Sequence, residues 1–221
     1  MASSVESRRH RTATSGRRTT VLASRPLLAF RTVDLVSAAM LGVAFGVVFW
    51  AWALIYNAPA EAMGAVFAPL AGLWYSPWLL AGVVGGLLIR RPGAALTTEV
   101  MAAVVSALIG SQWGWLVLAS GFLQGLGVEI AFALFAWKRF GPMTAMLGGL
   151  LAATLEVVFL EWHLYYADWS WSFKLAYLAL FGLSGAVVAG LGGLAIVRSL
   201  AKAGAVDAMP PGQEELDRAA R

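Results

Sequence analysis

The 221-residue chain has no cysteine, two histidines and little charge: Asp, Glu, Lys and Arg make up 13% of it, against 60% hydrophobic residues. Without cysteine there is no disulfide framework and no thiolate metal centre, and cysteine usage says nothing about redox compartment. His10 and His163 alone cannot build a histidine-rich metal cluster, so no metal site is expected. No Gly-x-x-x-x-Gly-Lys-Ser/Thr phosphate loop is present, nor a Gly-x-Ser-x-Gly or His-Glu-x-x-His pattern, which leaves ATP hydrolysis and the common hydrolytic chemistries without their machinery. No catalytic residues are therefore assigned, and the chain is not expected to be an enzyme. So few charges cannot cover a water-soluble surface, and a mean hydropathy of +0.74 places the chain in a bilayer.

What is present is a series of long apolar runs. An Arg-rich head (1–31) and a polar tail (203–221) flank a membrane domain (32–202) with room for about six spanning helices at roughly 20 to 25 residues each. The runs are Val33 to Tyr56, Ala62 to Ile89, Ala94 to Ile109, Gly114 to Trp137, Met143 to Tyr165 and Phe173 to Val197. Of the 16 Lys and Arg, only Lys174 falls on the side opposite the rest, a positive-inside pattern that predicts an all-α, six-transmembrane-helix bundle with both termini cytoplasmic. Because the positive charges sit at the ends of apolar runs, they read as topology signals and not as a nucleic-acid groove. Arg8-Arg9 and Arg17-Arg18 do not make a twin-arginine export signal, since Arg25, Pro26 and Arg31 interrupt the approach to the first apolar run. Head and tail are expected to be disordered cytoplasmic extensions.

The second run, with Pro69 and Pro77, crosses once by charge parity. Ser76-Pro77 reads as an N-cap and first-turn proline for the inner part of helix two, and Glu61 to Tyr75 either continues that helix or folds over the outer mouth. Glycine is abundant inside the spans, where small residues let helices approach closely. On helix one, Ala38, Gly42 and Gly46 form a small-residue stripe suited to a neighbouring helix, either within the bundle or on another protein.

A charge in hydrocarbon costs about 2.5 to 3.5 kcal/mol on insertion scales, so buried acids are informative. At about 1.5 Å per residue from the cytoplasmic flank, Glu99 and Glu129 lie roughly 12 to 13 Å deep, and Glu156 and Gln124 roughly 20 Å deep. Glu161, His163 and Asp168 lie near the end of helix five and in the outer loop, and Glu156 and His163, seven apart, share a helix face. No basic residue lies at comparable depth. The acids read as packing residues, as a proton relay or as counter-charges for a cationic ligand; as a group they favour a cation site or a proton pathway. Tryptophans gather at the outer ends, with Tyr56, Tyr165 and Tyr166 among them, which suits a planar cation held by stacking and cation-π attraction. His163 reads as a ligand hydrogen-bond partner or an interfacial residue.

Arg90-Arg91-Pro92-Gly93-Ala94-Ala95, Thr98-Glu99, Gly110-Ser111-Gln112-Trp113-Gly114 and Gly121-Phe122-Leu123-Gln124-Gly125-Leu126-Gly127-Val128-Glu129 resemble the YkoE family. Its members are S components, the substrate-binding subunits of energy-coupling factor (ECF) transporters, for hydroxymethylpyrimidine or thiamine. The resemblance runs from about Arg31 to Lys202 and is specific between Arg90 and Glu129. It implies a multi-pass protein of the bacterial cytoplasmic membrane that binds its vitamin near the outer face. Its partners would be a transmembrane coupling protein and ATP-binding-cassette ATPases, which consume the ATP; the chain itself needs no cofactor. Against such a ligand, Glu156 or Glu161 would stand near the thiazolium, Gln124 and Glu129 would face the pocket, and Trp113, Trp162, Trp169 and Tyr166 would stack. Gln112 could meet the aminopyrimidine edge, Tyr177 is a further candidate, and Glu99 is either structural or shares a proton with Glu129. The stripe Ala38, Gly42 and Gly46 would dock the coupling protein. The alternatives are a stand-alone proton-coupled carrier relaying through Glu99, Glu129 or Glu156, and a packing protein without ligand.

Overall fold

The structure is a computed structural model and describes residues 30–220; the expectation of a disordered head falls almost wholly outside them. The described residues are helical, without strands. Helix α1 (Thr32–Ile55) is followed by a short α2 (Asn57–Val66), two 3-10 segments (Ala68–Trp74 and Ser76–Leu79) and α3 (Leu80–Ile89). Then come α4 (Ala94–Leu108), a 3-10 turn (Gly114–Leu116), α5 (Val117–Leu134), α6 (Pro142–Leu164), α7 (Trp171–Lys202) and α8 (Pro210–Ala219).

Four of these stretches are long and apolar enough to cross a membrane: α1, Gly114–Leu134, α6 and α7. A fifth is counted if Ala68–Trp74 and Ser76–Ile89, bent by 41°, form one broken span, while Ala94–Leu108 is apolar but shorter. At the centre lies α3, in which every residue from Ala81 to Ile89 is buried. A ten-residue helix apolar on all sides has no solvent face to offer, and it contacts α1, α4, α5, α6 and α7. It stops where Arg90 takes a left-handed conformation (φ 57°), and Gly93, at φ 87°, completes the Arg-Arg-Pro-Gly turn into α4.

Helices consecutive in sequence from α4 to α7 pack as neighbours, and α1 packs on α4. Glycines set the closest approaches: a Cβ on Gly149 of α6 would lie 2.0 Å from the Gly185 carbonyl oxygen of α7, and one on Gly127 of α5 would lie 2.5 Å from the Ala152 nitrogen of α6. The stripe expected to dock another protein is used inside the chain. Ala38, Gly42 and Gly46 are buried, and added Cβ atoms on the two glycines would collide with Met101 and Val105 of α4. The stripe therefore seats α4, and the bulkier residues of α1 such as Met40, Val43 and Val47 are the ones left exposed.

Two further expectations change. Ser76 makes no capping hydrogen bond; its hydroxyl pairs with that of Ser184 on α7 at 2.7 Å, and Ser184 also donates to the Leu73 carbonyl at 2.7 Å. This ties the 3-10 segments to α7. The stretch from Glu61 to Tyr75 is the end of a short helix and a 3-10 coil that bends by 41° into Ser76–Ile89, with Gly72 close against Tyr177 and Phe181. The tail also is not disordered over its whole length. Pro210–Ala219 is helical, Met209, Pro211 and Gly212 are buried, Glu214 pairs with Arg90, and Arg31 reaches the Ala208 carbonyl and the Met209 sulfur. Prolines at the first helical positions and an apolar foot give the segment something to bury, which its polar composition obscured.

Candidate substrate-binding cavity

A cavity of about 260 Å³ opens between the end of α1, the 3-10 segments, α4, α5, α6 and α7. Its position follows from two irregularities. The first is the break before α3, which starts a helix inside the bundle and aims the free N–H groups of its first turn sideways. Glu99 of α4 meets one of them: the Gly82 N–H donates to Glu99 Oε2 at 2.6 Å. The second is the π turn Val157–Glu161 in α6. In a regular α-helix, residues five apart diverge by ~140°; the wider i→i+5 turn brings Glu156 and Glu161 closer to one line, and both line the cavity.

Three carboxyl groups thus face one space. Glu156 Oε1 accepts from the Ser120 hydroxyl at 2.7 Å, and that hydroxyl in turn accepts from the Gln124 amide at 2.8 Å. Glu99 Oε1, Glu156 Oε2 and Glu161 Oε2 are buried without a well-formed hydrogen bond, and the Tyr177 hydroxyl, buried and likewise unpaired, stands beside Glu161. An orphaned buried acceptor forfeits about 1 to 3 kcal/mol, and acceptors left incomplete on one cavity wall give that wall capacity for further donors. None of the lining residues is Lys, Arg or His.

The rest of the wall is aromatic. Trp78 meets Tyr56 edge-on at 4.8 Å and Trp113 at 5.3 Å, and Tyr75 lies 5.8 Å from Trp78. These rings are fixed from behind: Trp78 Nε1 donates to the Phe49 carbonyl at 3.2 Å, and the Gln112 amide donates to the Tyr56 hydroxyl at 3.1 Å. Burial pushes the Tyr56 phenol up to about 12, so it stays a neutral donor and acceptor near neutral pH. Tyr165 and Tyr166 close the wall beyond α6, and burial raises both phenols as well.

Of the residues singled out from sequence, the structure places Glu99, Trp113, Gln124, Glu156, Glu161 and Tyr166 on the wall. Trp169 and Tyr177 form a second layer, stacked on Tyr166 at 4.2 Å and edge-on to it at 4.8 Å. Gln112 is not a wall residue and reaches the cavity through its hydrogen bond to Tyr56. Glu129 is elsewhere: Oε1 accepts from the Ala95 N–H at 2.8 Å and Oε2 from Trp137 Nε1 at 3.3 Å, so it caps the start of α4 and shares nothing with Glu99. His163 is exposed and Trp162 packs on Trp171 at 5.7 Å. His163 stands off the wall because the π turn shifts it around the axis of α6, which removes the face it would share with Glu156. Sequence reasoning did not single out Tyr75, Trp78, Ser106, Ser111 or Ser120, all on the wall. Trp78 directly follows Ser76-Pro77, and the proline break is the signal that marked this segment.

The described residues thus form apolar helices around an acidic, aromatic-walled cavity, the architecture of a membrane protein with a small-molecule site. Residues 33–155 match the family described as the ABC-type cobalt transport system, permease component. Among curated proteins, the chain is 31% identical over 186 residues, 84% of this chain and 92% of the relative, to a Bacillus subtilis (strain 168) protein named as the HMP/thiamine permease protein YkoE. Among solved structures, an S-component of an ECF transporter superposes with a TM-score of 0.80 at 30% identity, covering 87% of this chain and 96% of that one. The chain is a membrane transport subunit of the S-component class, not an enzyme. Within that class it belongs to the YkoE family.

Proposed function

We propose that this S component binds thiamine, or the hydroxymethylpyrimidine from which thiamine is built, in the cavity between Glu99, Glu156, Glu161 and the Trp78–Trp113 corner. In this reading the chain crosses a bacterial cytoplasmic membrane six times with both termini cytoplasmic, the bent pair before Ile89 and the short Ala94–Leu108 serving as two of the spans. A transmembrane coupling protein and ABC ATPases supply the energy, and ATP is consumed by those partners.

The observation that carries the reading is the cavity's composition: three carboxyl groups with incompletely bonded oxygens, a box of tyrosine and tryptophan rings, and no basic side chain among the lining residues. A thiazolium brings the missing positive charge and a ring face for Trp113 and Trp78, while an aminopyrimidine brings N–H donors for the free carboxylate oxygens and a ring edge for the Gln124 amide. A bare metal ion fits less well, since among the described residues no group of three or more His, Cys, Asp and Glu stands close enough to hold one. The relative's name points the same way. The lining tryptophans provide the test: thiamine or hydroxymethylpyrimidine titrated into the purified protein quenches their fluorescence saturably. Absence of any response to either compound overturns the reading. Uptake by vesicles carrying this protein alone, driven by a pH gradient, would replace it with a proton-coupled carrier.

A further inference from the structure

The carboxyl groups of the cavity outnumber the positive charges that one vitamin molecule can bring. Glu99 lies on α4 and Glu156 and Glu161 on α6, and each keeps one buried oxygen without a well-formed hydrogen bond. The other titratable groups around them are phenols: Tyr56 at the end of α1, Tyr75 ahead of Trp78, Tyr165 and Tyr166 beyond α6, and Tyr177 on α7, which packs on Tyr166 and stands beside Glu161. From α5 come only Ser120 and Gln124, and α3 contributes the Gly82 N–H. No basic side chain on the wall offsets the acids. Like charges facing one buried space with no counter-ion raise the cost of each other's ionisation, and Glu156 interacts electrostatically with both Glu99 and Glu161, so the three carboxyl groups are not all ionised together. Protons must neutralise part of the set while the cavity is empty.

Building on the thiamine reading, we propose that binding of a fixed organic cation to this cavity is linked to proton release. One carboxylic acid of the Glu99, Glu156 and Glu161 set gives its O–H proton to bulk solvent and remains as the carboxylate beside the cation. One positive charge enters and one leaves, so the charge of the cavity is unchanged. A neutral pyrimidine replaces no proton, because its N–H groups donate to oxygens that stay as they were. The cavity thus takes the cation more tightly as pH rises and is indifferent to pH toward the neutral ring. Affinity for thiamine rises about tenfold per pH unit wherever one full proton leaves, and flattens where the acid is already ionised in the empty protein.

Calorimetric titration of the full-length protein with thiamine in two buffers of equal pH and different protonation enthalpy counts the protons. The expected count is about one at neutral pH and falls toward zero at alkaline pH, with the neutral form of hydroxymethylpyrimidine giving none. Glu156→Gln and Glu161→Gln reduce both the count and the thiamine affinity. Glu129→Gln leaves the count at the wild-type value, since Glu129 lies off the wall with both oxygens occupied. Thiamine binding with no proton released at any pH overturns the linkage and leaves the substrate reading intact. So does binding of the pyrimidine with thiamine rejected. Failure of both compounds to bind overturns the substrate reading itself.

Discussion

Glu129 and Glu156 are buried acids on neighbouring helices of the same bundle, and their surroundings differ in one respect. Glu129 spends both oxygens on donors of its own chain, the Ala95 N–H and the Trp137 indole, at the end of the bundle where α3 turns into α4. Glu156 spends one oxygen on Ser120 and leaves the other facing the cavity, as Glu99 does with Gly82. Burial alone therefore does not separate a structural acid from a binding one. The separation lies in whether the fold completes the hydrogen-bond shell or leaves part of it to a ligand.

Substitutions test that contrast, beginning with the largest expected effect. Glu156→Ala removes a carboxylate facing the cation and weakens thiamine binding by about 3 kcal/mol, on the order of a hundredfold in Kd, with little change in thermal stability. Fluorescence titration beside a melting curve reads both, and a stability loss with unchanged affinity would erase the distinction. At the helix crossing, Gly149→Ala drives a methyl into the Gly185 carbonyl and costs about 1 to 3 kcal/mol of stability. It shows as a lowered Tm or poor recovery from membranes, with any folded fraction still binding ligand. Glu129→Ala strips the Ala95 N–H of its acceptor and costs about 2 kcal/mol, read as a lowered Tm at near-native affinity. A large loss of affinity there would place Glu129 with the cavity acids after all. Smallest is Glu214→Ala: an ion pair with an exposed partner contributes about 0 to 1 kcal/mol, so the α8 contact with Arg90 should loosen without moving either affinity or Tm by much. Proteolysis at the tail is the measurement that detects it.

Much of this architecture was legible in the sequence because the bilayer imposes simple rules. Apolar run lengths marked the long helices, and depth placed Glu156 and Gln124 near one level on two helices, whereas it grouped Glu99 with Glu129, and only the structure sets Glu99 on the same wall as Glu156. Three readings were decided by local structure that composition does not show. The i, i+7 pairing of Glu156 with His163 assumed a regular helix, and the π turn Val157–Glu161 is not signalled by composition. Glu129 is as apolar in its sequence neighbourhood as Glu99, and only the approach of α4's first turn shows where its oxygens go. The Ala38, Gly42 and Gly46 stripe announced close helix packing correctly but not its partner, which is α4 of the same chain.

The sequence by itself determined the solvent of this protein, the approximate extent of its long apolar helices, and the residue types that a cationic aromatic ligand would need, because hydropathy and charge scarcity act over whole segments. Tertiary structure decided which of those residues share a wall. A one-residue shift around a helix axis or one N–H in reach turns a carboxylate from a ligand contact into a cap, and such differences arise only when helices distant in sequence are brought within hydrogen-bonding range.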